Sequence, residues 1–138
     1  MSDDAAVWPG PIFAVTVFTD DLAATKEFYT RVFGLPAQWE DSDSAVFAFP
    51  NILINVLVAT AAPELIDPAP VAPASAGARV QFTINVDDTD TTCARLADLG
   101  VTLLNGPMDR PWGIRTATFQ DPGGHVWEIA SPLETAGD

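Results

Sequence analysis

Few side chains in this sequence are equipped for chemistry, and the missing ones narrow the field. There is one histidine, His125, one cysteine, Cys93, and one lysine, Lys26. A single imidazole with no matching partner pattern gives no Ser-His-Asp triad. A single cysteine excludes an internal disulfide and any CxxC zinc site. Cys93 lies in a helical stretch without a basic neighbour in sequence, so it reads as a small packed hydrophobe rather than a thiolate. His125 follows Gly124 in a turn and reads as a loop tip or strand start. The carboxylate that stands out is Glu128, set between Trp127 and Ile129 in VWEIA. Side chains alternate along a strand, so Glu128 shares a face with Val126 and Ala130 while Trp127 and Ile129 take the other. Glu128 is then either a solvent-facing residue on a half-buried strand or an acid directed into a pocket.

Other polar residues sit in similar settings. In RVQFTINV, Val80, Phe82, Ile84 and Val86 form an apolar face that should pack on helices. Gln81, Thr83 and Asn85 form the opposite face, which by itself reads as solvent-exposed. In IFAVTVFT the same alternation sets Phe13, Val15 and Val17 against Ala14, Thr16 and Phe18. Asn55 lies between Ile54 and Val56, and if buried it must find hydrogen bonds. Trp112, in the loop Pro111-Trp112-Gly113, suits either stacking on a flat or cationic ligand or plugging the loop down. Phe47 and Phe49 share a strand face and read as core. Arg115 reads as the partner of a surface acid.

The elements that must position these residues come in two similar sets. Ile12 to Thr19 reads as a strand. DDLAATKEFYTRVFG follows, with Asp21 as N-cap, Leu22, Thr25, Phe28, Tyr29 and Val32 at helical spacing, and Gly34 as the stop. Strands are predicted over Gln38 to Glu40, Ser44 to Phe49 and Ile52 to Ala59, with Pro50-Asn51 as a turn. ATAAPELIDPAPVAPASAG contains Pro63, Pro68, Pro70 and Pro73 and reads as an extended surface connector. The plan then repeats: strand Arg79 to Val86, a helix opened by Asp88 and stopped by Gly100, and strands Val101 to Leu104, Arg115 to Gln120 and Val126 to Ser131. Superposing Asp20-Asp21 on Asp87-Asp88, an offset of 67, pairs Thr16 with Thr83. The Asp121-Pro122-Gly123-Gly124 stretch is a structural turn by its chemistry.

The whole chain sets further bounds. Its 138 residues suit a single domain with one core. Nineteen acids against six bases give a formal net charge of −13. That balance argues against nucleic acid and against an anionic membrane surface, both of which need clustered Lys and Arg. No apolar run approaches the roughly 18 residues of a membrane span. The opening MSDDAAVW lacks a basic n-region, which predicts no secretory leader and a cytoplasmic location.

With their order and spacing, the stretches DDLAATKEFYTRVFGLP, VDDTDTTCARLADLGV and PWGIRTATFQDPGGHVWEIA resemble the vicinal oxygen chelate superfamily of glyoxalase I, bleomycin-resistance proteins and extradiol dioxygenases. The resemblance implies an α+β fold of two tandem βαβββ modules whose mixed sheets curl into a cup or partial barrel with helices outside. The first module would span 12–60, the connector 61–78 and the second module 79–132, within a single domain over 1–138. It also implies that the strand faces away from the helices line the cup, and that the chain forms a homodimer. Ala14, Thr16, Phe18, Asn55, Gln81, Thr83, Asn85 and Trp112 become expected ligand-contacting residues, and Glu128 the expected catalytic group.

Metal-using members of the superfamily take ligands from positions that correspond here to Ala14, Asn55, Gln81 and Glu128. Alanine has no donor atom, and one carboxylate with two amides is a poor set for zinc, nickel or ferrous iron. The resemblance therefore implies a pocket for a small hydrophobic or aromatic molecule without a tightly bound metal. The competing reading is a glyoxalase-like lyase or isomerase in which Glu128 is the general base, with or without a loosely held divalent metal. Literal glyoxalase chemistry would need the full ligand set and a basic cluster for glutathione carboxylates, neither of which is present in the sequence.

Overall fold

The computed structural model describes residues 8–133. The stretch read for a leader falls mostly outside them, from Met1 to Val7. Two four-stranded mixed sheets curl without closing into a barrel. The first contains β1 (Ala14–Thr19), β2 (Trp39–Glu40), β3 (Ser44–Ala48) and β4 (Leu53–Val58), with α1 (Leu22–Phe33) after β1. A short helix α2 (Pro63–Ile66) lies between the halves. The second contains β5 (Gln81–Asn85), β6 (Asn105–Asp109), β7 (Ile114–Gln120) and β8 (Val126–Pro132), with α3 (Thr89–Asp98) after β5. Spatial orders are β1-β4-β3-β2 and β5-β8-β7-β6, so each half places its opening strand parallel to its closing strand at the sheet edge.

Both long helices begin where the sequence predicts. Asp21 Oδ1 accepts the Ala24 N–H at 3.0 Å, and Asp88 Oδ2 accepts the Thr91 N–H at 2.8 Å. Each cap satisfies a backbone donor that the helix itself leaves unpaired. Gly34 ends α1 in the left-handed region at φ 70°, its N–H returning to the Thr30 carbonyl. The periodic residues Thr25, Phe28, Tyr29 and Val32 are the buried ones.

One hydrophobic core joins the halves. Tyr29 of α1 meets Phe47 of β3 and Trp127 of β8, with ring centroids 5.0 and 5.8 Å apart. Phe33 lies 4.6 Å from Trp127, and Phe28 lies 6.2 Å from Phe119 of β7. The helix of the first module thus packs on the second sheet, and Trp127 and Ile129 occupy the core face opposite Glu128.

Three expectations need correction. The strand expected over Val101 to Leu104 lies instead at Asn105–Asp109. Val101 and Leu103 pack against the core from the link after α3, so their alternation reflects burial rather than ladder pairing. The ladder tolerates Gly106-Pro107 because its register slips between Asn105 and Met108. Phe13 and Val80, on the faces that alternation directs at the helices, are exposed, because β1 begins at Ala14 and β5 at Gln81, one residue after each. The connector is not extended throughout: α2 and the 3-10 turns Ala59–Ala61 and Ala74–Ala76 fold it locally, and Ala62 is buried.

Candidate functional site

Strand register assembles the expected second-half residues into one row. Thr83 of β5 and Thr118 of β7 both stand opposite Glu128 of β8, on the face away from Trp127 and Ile129. The Thr83 hydroxyl donates to Glu128 Oε1 at 2.9 Å. Thr118 Oγ1 is buried and has no hydrogen-bond partner among the described residues. Gln81 and Asn85 flank Thr83 on the same face and are exposed. Next to Thr118, the Thr116 hydroxyl accepts Arg110 Nε at 2.9 Å, and Arg110 Nη2 reaches Asn105 Oδ1 at 3.4 Å. Arg110 forms no ion pair among the described residues. It brings to this face a cation with no signature in sequence, because the β6–β7 connection reads only as a loop.

The first half repeats the arrangement with different chemistry. Thr16 of β1 stands opposite Asn55 of β4, and Asn55 Nδ2 donates to Thr16 Oγ1 at 3.4 Å. The residue opposite Asn55 on β3, the position that Thr118 holds in the second half, is Val46. Ala14 is exposed at the start of β1, and Phe18 is half-buried near its end. Among the described residues no hydrogen bond links the Thr16–Asn55 pair to the Thr83–Glu128 pair.

The remaining candidates are peripheral. Trp112 is 67% exposed, so it does not plug its loop. Arg115 pairs with Asp90 at 3.0 Å and Asp109 at 2.7 Å, as its surface reading anticipated. Cys93 is half-buried. Burial and the Asp90 charge push its thiol up against an opposing effect of Arg115, so the site favours a thiol over a thiolate.

The Asp121-Pro122-Gly123-Gly124 turn does more than reverse the chain. Asp121 is buried and its carboxylate gathers five donors. Oδ1 accepts from the backbone N–H groups of Gly123 and His125, both at 3.0 Å, and from His125 Nδ1 at 2.8 Å. Oδ2 accepts from the Tyr29 hydroxyl at 2.9 Å and from Trp127 Nε1 at 3.1 Å. Burial alone would raise this carboxyl, but His125, Trp127 and the His125 N–H outweigh it and hold it below the usual aspartate range. Tyr29 responds oppositely: burial first, then the Asp121 charge, push its hydroxyl far above the ordinary tyrosine value.

Beside this turn is a cavity of about 310 Å³ between β1, the connector and Gly123 to His125. From the expected ligand-contacting set it includes Thr16 and Phe18, but not Ala14, Asn55, Gln81, Thr83, Asn85, Trp112 or Glu128. The expected residues therefore divide between an open face on the second sheet and a cavity beside the first.

The donors at the superfamily's metal positions do not fit a metal ion. Ala14 supplies no donor, and Asn55, Gln81 and Glu128 offer two neutral amide oxygens and one carboxylate, a weak set for zinc, nickel or ferrous iron. No group of three or more His, Cys, Asp or Glu side chains among the described residues is placed to hold one. No helix among the described residues is long and apolar enough to cross a membrane.

Comparison with known proteins agrees with this geometry. A crystal structure of a glyoxalase/bleomycin resistance protein/dioxygenase from Nocardioides superposes with a TM-score of 0.84 at 26% identity, covering 99% of this chain and 94% of that one. The Bacillus subtilis (strain 168) protein YraH is 27% identical over 126 residues, which are 88% of this chain and 98% of YraH. TnmS3, an antibiotic binding protein from Streptomyces sp. CB03234, superposes with a TM-score of 0.69 at 24% identity, covering 91% of this chain and 98% of that one. The family model for the glyoxalase/bleomycin resistance protein/dioxygenase superfamily matches residues 12–129. With that match spanning both βαβββ units, the chain belongs to the glyoxalase/bleomycin resistance protein/dioxygenase superfamily.

Proposed function

We propose that this protein binds a small apolar or aromatic molecule on the cup face of its sheets, without a tightly bound metal. The observation that carries the reading is the row Thr83, Glu128 and Thr118. A buried hydroxyl without a partner costs stability unless something else occupies it. Strand register sets Thr118 opposite Glu128, whose carboxylate has only one protein hydrogen bond among the described residues. A ligand hydroxyl or amine that donates to the second Glu128 oxygen would extend this row, and reaching Thr118 Oγ1, which is closed to solvent, would need the face to open. The fold is known to serve binding, since TnmS3 is an antibiotic binding protein. The exposed Gln81, Thr83 and Asn85 suit a homodimer in which a second chain helps to enclose the ligand.

Testing this reading starts with amide spectra of the isotopically labelled protein, screened against small aromatic alcohols and amines. Shifts should centre on Thr83, Thr118 and Glu128 and disappear in Glu128→Ala. A screen in which no compound moves these resonances refutes the reading. So does near-stoichiometric retention of Mg, Mn, Ni, Zn or Fe(II) after desalting that is lost in Glu128→Ala.

A second reading rests on the free oxygen of Glu128. Thr83 engages Oε1, which leaves Oε2 available as a general base for a C–H next to a carbonyl, in a lyase or isomerase. A turnover that survives Glu128→Gln unchanged would remove that role.

A further inference from the structure

The turn that carries Asp121 faces the cavity with an imidazole already oriented. His125 Nδ1 lies 2.8 and 3.0 Å from the two Asp121 oxygens. An ionised carboxylate can only accept, so Nδ1 carries a proton, and in the singly protonated tautomer Nε2 is left as an acceptor. Nε2 has no protein partner among the described residues, and His125 lines the cavity.

The ring's placement is built in by its neighbours. A Cβ on Gly123 would come within 2.6 Å of His125 Cε1 and 3.3 Å of the Phe18 carbonyl, so only glycine lets the imidazole fold beneath the turn beside β1. The buried Asp121 is itself fixed by Tyr29 and Trp127, two of the largest buried side chains in the core. The acceptor is therefore pre-oriented, which lowers the ordering cost of binding.

The rest of the wall defines the complementary ligand. Phe18, Pro70, Val71 and Pro73 give apolar surfaces, Asp20 and Arg79 are the charged residues of the lining, and the cavity volume lies at the lower end of the usual range for small-molecule sites. We infer that this cavity is a second ligand site, separate from the Glu128 row, which takes a compact aromatic alcohol whose hydroxyl donates to His125 Nε2. Asp121 is a positioning residue: it sets the tautomer and angle of the ring and does not touch the ligand.

Because His125 is the only histidine, its side-chain nitrogens give an unambiguous signal in long-range proton–nitrogen spectra. The probes are 2-naphthol and 2-methoxynaphthalene, which share a ring system but differ in the donor. Titration with 2-naphthol should shift the Nε2 resonance, and 2-naphthol should bind at least tenfold more tightly than the methyl ether. His125→Phe should abolish that discrimination. Ala72→Trp, which fills the cavity from the exposed connector and leaves every Asp121 hydrogen-bonding residue in place, should abolish binding of both probes while circular dichroism stays native. Glu128→Ala should leave 2-naphthol binding unchanged. An unmoved Nε2 resonance, equal affinity for the two probes, or full binding by Ala72→Trp overturns the inference. Shifts confined to Thr83, Thr118 and Glu128 also overturn it, but leave the cup-face reading intact.

Discussion

Replacing Asp121 by Asn tests whether the buried carboxylate holds the two halves together. The variant keeps the shape and one carbonyl oxygen. That oxygen can still accept the N–H groups of Gly123 and His125 and the proton on His125 Nδ1, as Oδ1 does now. The new amide nitrogen must then face Tyr29 and Trp127, where Oδ2 accepts today. Tyrosine can rotate its hydroxyl and accept instead, but indole Nε1–H has no acceptor function. Its stranded donor costs about 2 kcal/mol, and the loss of charge from the three retained bonds about 1 kcal/mol each. Relief of the buried charge offsets about 2 kcal/mol of this, given effective penalties of several kcal/mol per buried ion. The net loss is about 3 kcal/mol, or a fall in Tm of roughly 12 °C at about 4 °C per kcal/mol for a chain of this size.

The pH dependence supplies an independent check. The folded pKa of Asp121 is depressed, so its stabilising contribution is fully present above the unfolded value of about 3.9. It is lost as pH falls below that value and through the folded pKa. Urea unfolding of wild type and Asp121→Asn should therefore show the full difference at pH 7 and a shrinking one below about pH 4. A variant within about 0.5 kcal/mol of wild type at pH 7, the scatter of ordinary surface substitutions, would refute this account of the hub. A difference that stayed constant down to pH 3 would refute the charge argument alone.

Two glycines with nearly equal positive φ separate backbone strain from steric contact. Gly113→Ala, at φ 91° with open space around it, should cost about 1 kcal/mol, while Gly106→Ala, at φ 88° with its Cβ 2.5 Å from the Thr116 carbonyl, should cost about 3 kcal/mol or more. Equal losses in urea unfolding would show that the Thr116 contact is not limiting. Asp88→Ala should lower stability by about 1 kcal/mol through loss of the N-cap, and an unchanged urea midpoint would deny the cap that role. Thr118→Val should gain about 1 kcal/mol by removing the unpaired hydroxyl, yet weaken any ligand that binds beside Glu128. Stabilisation with undiminished binding would mean that Thr118 does not serve the site.

Much of the fold was legible because local and tertiary signals agreed. Asp21 and Asp88 open the two long helices and Gly34 closes the first, whose buried residues follow the predicted period. Trp127 and Ile129 faced the core because strand alternation leaves no other choice. The β6 error arose where these signals separated. Val101 and Leu103 are buried without being in the ladder, while Gly106-Pro107, poor strand residues, are in it. The site was less legible for a similar reason. Register can be read from a sheet but not from one strand, so the opposition of Thr118 and Glu128 had no signature in sequence. Nor did the five donors around Asp121, two of which come from Tyr29, 92 residues away, and from Trp127 across the turn.

The internal repeat then explains where polar function concentrates. Both modules place a threonine opposite the key residue of the closing strand, at Thr16–Asn55 and Thr83–Glu128. The first module uses a neutral amide and backs it with Val46, so its polar groups satisfy one another. The second uses a carboxylate, backs it with the unpaired Thr118, and brings Arg110 onto the adjacent Thr116. A pair that satisfies itself has little free-energy reason to recruit a ligand, whereas a buried hydroxyl without a partner among the described residues, set opposite a carboxyl group, does. Divergence from a common plan has therefore left the first half as a mainly apolar wall and put unmet hydrogen-bonding capacity in the second. The turn between β7 and β8 couples that second sheet to the cavity beside β1. Asp121 holds Trp127 on the core face behind Glu128 and His125 at the cavity wall, so the same carboxylate steadies both of the sites proposed above.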